Sequence, residues 1–192
     1  MFARTERLLL RPGWTEDASA VTTLLNDAAV TRKLFDLPSA MTEDEARALL
    51  SAERDPLAPQ MLLFARTGGA PRLVGGCALA SEAGQDGVCE LSFWIGRPFW
   101  GLGFATEAVG AIVRAARSAG WRRIIARPSA DNSAAAHVLG KVGFRPTGRS
   151  ERRFSRARGG EVPCAEFSDS GMAPTRSDLS RTLYRDRAPI AA

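Results

Sequence analysis

The residues with the clearest chemical meaning form a glycine-rich turn, Trp100-Gly101-Leu102-Gly103, that leads into a predicted helix. Glycine allows the tight turn and lets backbone N–H groups approach a ligand closely. The first N–H groups of a helix lack partners within it, and the positive end of the helix dipole lies behind them. The turn therefore predicts a binding site for a phosphate or pyrophosphate group.

Two common phosphate-binding motifs fit this turn poorly. A dinucleotide-binding turn has a third small residue where this sequence has Thr106, and it needs an acid about 20 residues later for the ribose hydroxyls. Residues 121–127 read Trp-Arg-Arg-Ile-Ile-Ala-Arg and supply no acid. A Walker A loop requires Gly-Lys-Ser/Thr, which does not follow the turn. A nucleotide-dependent oxidoreductase is therefore a distant alternative.

Length and composition are those of one globular domain, with 192 residues, 45% of them hydrophobic and 24% charged. No run of about 20 apolar residues is present, so we expect no membrane partner, and early charged residues break any signal-peptide pattern. Cys77, Cys89 and Cys164 are odd in number and far apart. This spacing disfavours a disulfide framework and a metal site, and it favours a reducing, cytoplasmic location.

The net charge of +5 is unevenly distributed, because residues 145–158 hold six arginines and one acid, Glu151. A basic segment of this kind can bind nucleic acid. Here the arginines are not interleaved with aromatic stacking residues, and no nucleic-acid motif accompanies them. We expect a solvated strand face, or a patch near an anionic ligand, rather than a nucleic-acid partner.

Hydrophobic spacing predicts alternating strands and helices around the turn. Strands are expected at residues 7–11, 61–65, 73–79, 88–95 and 121–126, with one or two more after residue 144. Helices are expected after a Thr15 cap, after a Thr42–Glu45 capping box, after the glycine turn, and after residues 131–133. Gly120 and Gly143 are placed to end the last two helices. Residues 168–180 are expected to form a loop, followed by a strand at 179–184 or a tail.

The glycine turn and its helix, residues 100–108, resemble motif A of the GNAT superfamily of acyl-CoA-dependent N-acetyltransferases. The resemblance is strongest to the branch that includes the ribosomal-protein N-terminal acetyltransferases, and it covers residues 5–167. Other matching pieces, in the order of that branch, are residues 7–12, Asn26-Asp27 with Val30, residues 90–96, Asp131-Asn132 and residues 141–145.

The resemblance implies one α/β (α+β) domain with a mixed, mostly antiparallel, centrally splayed sheet and about four helices. This acyl-CoA N-acyltransferase domain would span residues 1–168, and residues 169–192 would be a C-terminal extension. It implies acetyl-CoA as co-substrate and no metal. The family's pyrophosphate loop corresponds here to Trp100, Gly101, Leu102, Gly103, Phe104, Ala105 and Thr106. The family often has Gln or Arg where this chain has Trp100, but backbone donors provide the phosphate contacts.

The strand at residues 88–95 has a second role in the family, because it splays from the next strand and pairs with the pantetheine arm. That role implies Phe93, Trp94 and Ile95 as main-chain contacts, with the Ile95 N–H polarising the thioester carbonyl. The attacking amine must be neutral, and Glu90 is the candidate general base, acting through a water. A substrate anchor and a plain exposed acid remain alternatives for Glu90.

The closing helix departs from the family pattern. Relatives often carry Asn-x-x-Ser, in which the serine meets the coenzyme sulfur, whereas this chain has Asn132 and Ala135. Asn132 is expected to contact the pantetheine amide, but Ala135 cannot donate a proton. His137, the single histidine, lies two residues from Ala135 and should point to a different face of the helix.

The sequence as a whole predicts an acetyl-CoA-dependent N-acetyltransferase that acts on a primary amine by direct attack in a ternary complex. The acceptor is a protein N-terminus or a small molecule. Its site is expected to be shaped by the first two helices, by their loop around residues 33–41 and by the last strands. The alternative, motivated by Ala135, is a non-catalytic acyl-CoA-binding sensor on the same fold. A homodimer is left open as the oligomeric state.

Overall fold

One eight-stranded sheet organises the residues that the computed structural model describes, which are 2–52, 55, 58–66 and 69–169. Across the sheet the strands follow the order β1-β2-β3-β4-β5-β6-β8-β7. Their bounds are Ala3–Arg4 (β1), Leu8–Arg11 (β2), Gln60–Ala65 (β3), Arg72–Ser81 (β4), Val88–Ile95 (β5), Arg123–Ala126 (β6), Phe144–Ser155 (β7) and Gly160–Asp169 (β8). All neighbouring pairs are antiparallel except β5 with β6, which confirms the mixed, mostly antiparallel sheet.

Helices cover both faces of this sheet. Those of the described residues are Ala18–Leu25 (α1), Ala28–Thr31 (α2), Glu43–Ser51 (α3), Phe104–Ser118 (α4) and Ser133–Lys141 (α5). The expectation of about four helices is exceeded by α2, a single turn that begins where the Asp27 side chain accepts the Ala29 N–H.

The central strand β3 shows why two layers of helices are needed. Successive side chains of a strand point to opposite faces, and four consecutive residues of β3 are buried. Met61 and Leu63 pack in the cluster that contains α4 and α5, whereas Leu62 and Phe64 pack in the cluster formed by α1, α2 and α3. The sheet is therefore enclosed on both sides at its centre.

The sheet divides where β5 and β6 separate. The two strands pair only through Val88, Cys89 and Glu90 of β5, and β6 ends at Ala126. Beyond Glu90, β5 continues to Ile95 alongside β4 alone. This divergence is the central splay that the resemblance to the family implied.

Local signals around the helix ends were largely confirmed. The Thr42–Glu45 capping box is present at α3, and Gly120 and Gly143 have φ angles of 95° and 99° after α4 and α5. The expected Thr15 cap was wrong. Residues Thr15–Asp17 form a 3-10 turn, because the Asp17 carboxylate accepts the Trp14 N–H at 2.8 Å and α1 begins only at Ala18.

The C-terminal prediction is tested only in part. Strand β8 continues to Asp169, two residues into the segment expected to be a loop. The expected strand at 179–184 lies outside the described residues, and the domain boundary at residue 168 stays a prediction. Within the described residues, no helix combines the length and hydrophobicity needed to cross a bilayer. All three cysteines are unpaired and buried, and burial raises the pKa of Cys77 and of Cys89 to about 12.

Strands β4 and β5 approach so closely that Gly75 has no space for a side chain. A Cβ atom there would lie 2.3 Å from the Trp94 carbonyl oxygen and 3.1 Å from the Ile95 Cα atom. Because both are backbone atoms, we expect Gly75→Ala to lower the free energy of unfolding by about 1–3 kcal/mol in urea denaturation. The control is Gly140→Ala in α5, where no atom lies within 4 Å. Equal stability of the two variants would contradict this strand packing.

Candidate active site

The glycine turn presents a cluster of backbone donors at the start of α4. Gly101 and Gly103 have φ angles of 76° and 80°, a conformation that side chains other than glycine rarely adopt. The first bond of the helix runs from the Glu107 N–H to the Gly103 carbonyl at 3.1 Å. Within the described part of the chain, the N–H groups of residues 101–106 have no acceptor. Their directions and the helix dipole suit an anion.

The turn is anchored to the start of β2 through Arg7 and Glu107. The Arg7 guanidinium donates to the Glu107 carboxylate at 2.7 Å and to the Leu102 carbonyl at 2.8 Å. The Thr5 hydroxyl and the Arg7 N–H also donate to that carboxylate, at 2.5 and 2.8 Å. Burial raises the pKa of Glu107, but these hydrogen bonds outweigh burial and leave it below its ordinary value. This anchor was not predicted from the sequence, because its only local signal is an acid in the first turn of α4.

Strand β5 carries a free backbone edge beside the turn. Its bonds to β4 include Glu82 N–H to Val88 O at 3.0 Å at one end and Gly96 N–H to Val74 O at 2.9 Å at the other. Because antiparallel bonding alternates, the main chain of Trp94 faces β4, and the main chains of Phe93 and Ile95 face the gap left by β6. The Ile95 carbonyl accepts the Trp100 indole N–H at 2.6 Å. The N–H groups of Phe93 and Ile95 therefore point into the splay.

A cavity of about 420 Å³ opens from this edge. Its lining includes Phe93, Trp94, Asn132 and Ala135, together with residues 33–37 and parts of α1 and α3. The charged lining side chains are Lys33, Asp36, Glu90, Arg127 and Arg153. Four of the predicted site residues therefore line one cavity: Glu90, Phe93, Trp94 and Asn132. Residues 101–106 do not line it, and the neighbouring Trp100 is joined to β5 by its hydrogen bond to Ile95.

Glu90 lies in a charged cluster at the point where β5 and β6 separate. Arg127, which follows β6, contacts the carboxylates of Glu82 at 2.7 Å and of Glu90 and Glu166 at 3.2 Å each. Arg153 donates to the other oxygen of Glu90 at 2.5 Å. We call these five residues the Arg127 cluster. Both oxygens of Glu90 are therefore held by guanidinium groups.

The electrostatics of the Arg127 cluster follow from its hydrogen bonds. The Arg127 side chain is only 10% exposed. The hydrogen bond to Glu82 raises the pKa of Arg127 above its ordinary value and, reciprocally, lowers the pKa of Glu82. The Arg127–Glu82 pair is therefore charged at neutral pH, and within it the Glu82 carboxylate acts as a hydrogen-bond acceptor.

The chain matches the family model of the acetyltransferase (GNAT) domain over residues 7–145. It belongs to the GNAT acetyltransferase family. A curated relative, the uncharacterized N-acetyltransferase p20 of Bacillus licheniformis, is 28% identical over 168 residues, covering 85% of this chain and 93% of the relative. Membership makes the protein an acyltransferase, and the GNAT family uses acetyl-CoA.

Solved structures share the fold at low sequence identity. A GNAT acetyltransferase from Bacillus anthracis superposes with a TM-score of 0.74 at 22% identity, over 88% of this chain and 97% of that one. RimL, a ribosomal L7/L12 alpha-N-protein acetyltransferase in its apo form, gives 0.73 at 18% identity over 88% and 93%. Microcin C7 self-immunity acetyltransferase MccE, in complex with acetyl-CoA and AMP, gives 0.73 at 13% identity over 85% and 92%.

In this GNAT chain, Asn132 begins the closing helix α5. Its side-chain oxygen accepts the Ala135 N–H at 3.2 Å and lies 3.4 Å from the Lys33 Nζ atom. Ala135 is buried and presents a methyl group to the cavity. His137 is exposed and does not line the cavity. Sequence reasoning missed Lys33 as a neighbour of Asn132, since 99 residues separate them.

The basic segment of the GNAT chain has specific partners around the cavity. The turn between β7 and β8 holds residues 32–36, because the Arg156 N–H donates to the Phe35 carbonyl at 2.9 Å and Arg158 donates to the Arg32 carbonyl at 2.7 Å. Arg158 also binds the Asp131 carboxylate and, chiefly through this hydrogen bond, lowers the pKa of Asp131 to about 2. Arg156 and Arg158 therefore tie residues 32–36 to the loop before α5.

The lowered pKa of Glu107 predicts a pH-dependent contribution to stability. We expect Glu107→Gln to cost about 1–3 kcal/mol at neutral pH, because the Thr5 hydroxyl and the Arg7 donors lose a charged, largely buried acceptor. A group with a lowered pKa stabilises the fold above its unfolded value and loses this effect as pH falls. The difference from wild type should therefore shrink below the ordinary value of 4.5.

Urea denaturation at a series of pH values measures this difference. The matched control is Glu43→Gln, which removes a carboxylate paired with Arg47 on the exposed surface of α3 and should cost little at any pH. A Glu107→Gln difference that stays constant through acid pH would contradict the role given to the Glu107 carboxylate.

Proposed function

We propose that this chain is an N-acetyltransferase that transfers the acetyl group of acetyl-CoA to a primary amine by direct attack in a ternary complex. The observation that carries the proposal is the free edge of β5, with the N–H groups of Phe93 and Ile95 aimed into the splay. This edge lies between the donor cluster at residues 101–106 and the cavity. A nucleotide-bearing thioester and an acceptor amine can therefore meet at one place.

The residues present suit acetyl-CoA as the co-substrate. The unpartnered N–H groups of residues 101–106 and the α4 dipole are chemically matched to a pyrophosphate. An amide-bearing arm can add to the β5 edge as an extra strand, through Phe93 and Ile95. Trp94 contributes its indole to the cavity wall rather than its main chain, and Asn132 offers its amide nitrogen. Bound acetyl-CoA supplies the activated acetyl group.

Catalysis is proposed to come mainly from positioning two bound reactants. The Ile95 N–H donates to the thioester carbonyl oxygen as negative charge develops there. Glu90 faces the cavity with arginines on both oxygens. Its remaining lone pairs accept a hydrogen bond from the acceptor amine or its water and guide the departing proton.

The acceptor is proposed to enter from the wall formed by α1, α3 and residues 33–37. RimL is a ribosomal L7/L12 alpha-N-protein acetyltransferase and MccE is a microcin C7 self-immunity acetyltransferase, so proteins with this fold act in different contexts. An α-amino group with a pKa near 7.7–8.0 is partly neutral at about pH 7.5, so a useful fraction of it is ready to attack. We therefore propose a protein N-terminus or a small primary amine as acceptor. The three unpaired thiols support a reducing, cytoplasmic setting.

Two measurements on the purified chain test this function. Isothermal titration with acetyl-CoA should show binding, and a thiol-release assay should show consumption of acetyl-CoA when a panel of amines and N-terminal peptides is added. Saturable binding without turnover on any amine would instead support a non-catalytic acyl-CoA sensor. Lack of acetyl-CoA binding would contradict the proposal altogether.

The role of Glu90 predicts a specific loss of activity. We expect Glu90→Gln to lower kcat by about 10²–10⁴-fold, the range typical for removing a positioned acid or base. The control is Glu151→Gln, because Glu151 faces Arg127 at 3.6 Å and Arg153 at 3.9 Å but does not line the cavity. It should leave kcat near wild type in the thiol-release assay. Equal losses in both variants would assign the effect to the charged cluster as a whole.

A further inference from the structure

Lys33 differs from the two arginines that line the cavity in the partners of its charged group. Arg127 and Arg153 both contact carboxylates, among them Glu90. Lys33 has no carboxylate partner in the described part of the chain, and its ammonium contacts the Asn132 side-chain oxygen at 3.4 Å. Of the 26 basic residues, only Lys33 and Lys141 are lysines. A compact, uncompensated positive charge therefore faces the cavity.

The position of Lys33 places this charge near the end of the free β5 edge. Its Nζ atom lies 5.7 Å from the centroid of the Trp100 ring, and the Trp100 indole N–H binds the Ile95 carbonyl. On the other side, Asn132 joins Lys33 to the first turn of α5, where Ala135 faces the cavity. Lys33 thus lies between the proposed carbonyl-binding N–H of Ile95 and the helix position that lacks a hydroxyl.

Because Ala135 stands where many relatives have a serine hydroxyl, another group must stabilise the departing sulfur, and Lys33 is placed to do so. Acetyl transfer leaves a negative charge on sulfur, and the Ala135 methyl group cannot stabilise it. An ammonium in a partly enclosed cavity attracts that charge more strongly than it would in water. The other charged groups that line the cavity are Asp36 and the Arg127-cluster members Glu90, Arg127 and Arg153, and the last three are engaged with one another.

We propose that Lys33 is a further catalytic residue, whose ammonium binds the coenzyme A sulfur and stabilises it as it leaves. The inference rests on the proposed function. In the reaction the amine nitrogen bonds to the acetyl carbon, the carbon–sulfur bond breaks, and its electron pair leaves on sulfur. The amine loses its proton to solvent by way of Glu90 and its water, and the thiolate is held by the Lys33 ammonium until it is released and protonated by solvent.

The test measures the bound product rather than turnover, so it needs no acceptor. Thiolate absorbance in the ultraviolet is followed against pH for coenzyme A bound to the full chain. We expect the pKa of the bound thiol to lie about one unit below the free-thiol value of about 8.5, a tenfold stabilisation of the thiolate. Lys33→Met should abolish this shift, and Lys33→Arg should retain part of it. Lys141→Met, the matched lysine control on α5, should keep all of it.

The titration distinguishes a failure of the Lys33 role from a failure of the proposed function. If coenzyme A does not bind to wild type, the proposed function fails and the role of Lys33 fails with it. If coenzyme A binds and its thiol titrates identically in wild type and Lys33→Met, the role of Lys33 is wrong while the proposed function stands. Circular dichroism of each variant confirms that the comparison is made between folded proteins.

A chemical rescue distinguishes the charge from a packing effect. Lys33→Cys should lose the shift, and alkylation of that cysteine with 2-bromoethylamine restores an ammonium at almost the same distance from the backbone. Cys77, Cys89 and Cys164 are buried, so they should be spared. Return of the lowered thiol pKa after alkylation supports the proposal. A modified variant that still lacks the shift would contradict it.

Discussion

The candidate active site of this protein depends on a backbone edge of β5 that no neighbouring strand covers, in the middle of the sheet. Backbone N–H and C=O groups inside a protein are nearly always hydrogen-bonded, so a central strand with a free side is costly unless something else pairs with it. Strand β5 is bonded to β4 along its whole length but to β6 only as far as Glu90. The fold thus keeps a row of donors and acceptors available for a ligand that can behave as a strand.

Side chains hold the two halves of the sheet apart at this point. Arg127 follows the last residue of β6 and binds Glu90 on β5 and Glu166 on β8. Buried ion pairs add little net stability, because desolvation offsets much of their attraction. The Arg127 cluster therefore serves mainly to set the position at which β5 and β6 separate. Its hydrogen-bonded side chains fill the space between the two strands. At the other end of the edge, the Trp100 indole N–H donates a hydrogen bond to the Ile95 carbonyl. The Ile95 N–H remains directed into the gap.

Sequence patterns predicted the parts of this arrangement that are encoded locally. The glycine turn, the capping box at Thr42 and the strand at residues 88–95 are short-range signals, and each appears in the structure. The splay followed from resemblance to a family rather than from any local pattern. Thr15 is not a helix cap, because the Asp17 carboxylate accepts the Trp14 N–H and residues 15–17 form a 3-10 turn instead.

The partners of Glu90 could not be predicted from the sequence. The contact with Arg153 joins residues 63 positions apart, and it exists only because the β7–β8 hairpin lies against the sheet beyond β6. The same holds for Lys33, which meets Asn132 across the cavity. Periodicity and capping rules describe residues that are close along the chain. The side chains of this site are distant along the chain and are brought together by the order of the strands.

Site-resolved amide hydrogen exchange with saturating acetyl-CoA tests the free edge most directly. The N–H groups of Phe93 and Ile95 should gain strong protection when acetyl-CoA binds, because they acquire partners only in the complex. The N–H groups of Ser92 and Trp94 should change little, since they already face β4. Saturating acetyl-CoA without new protection at Phe93 and Ile95, or with protection spread equally over all four amides, would contradict the account.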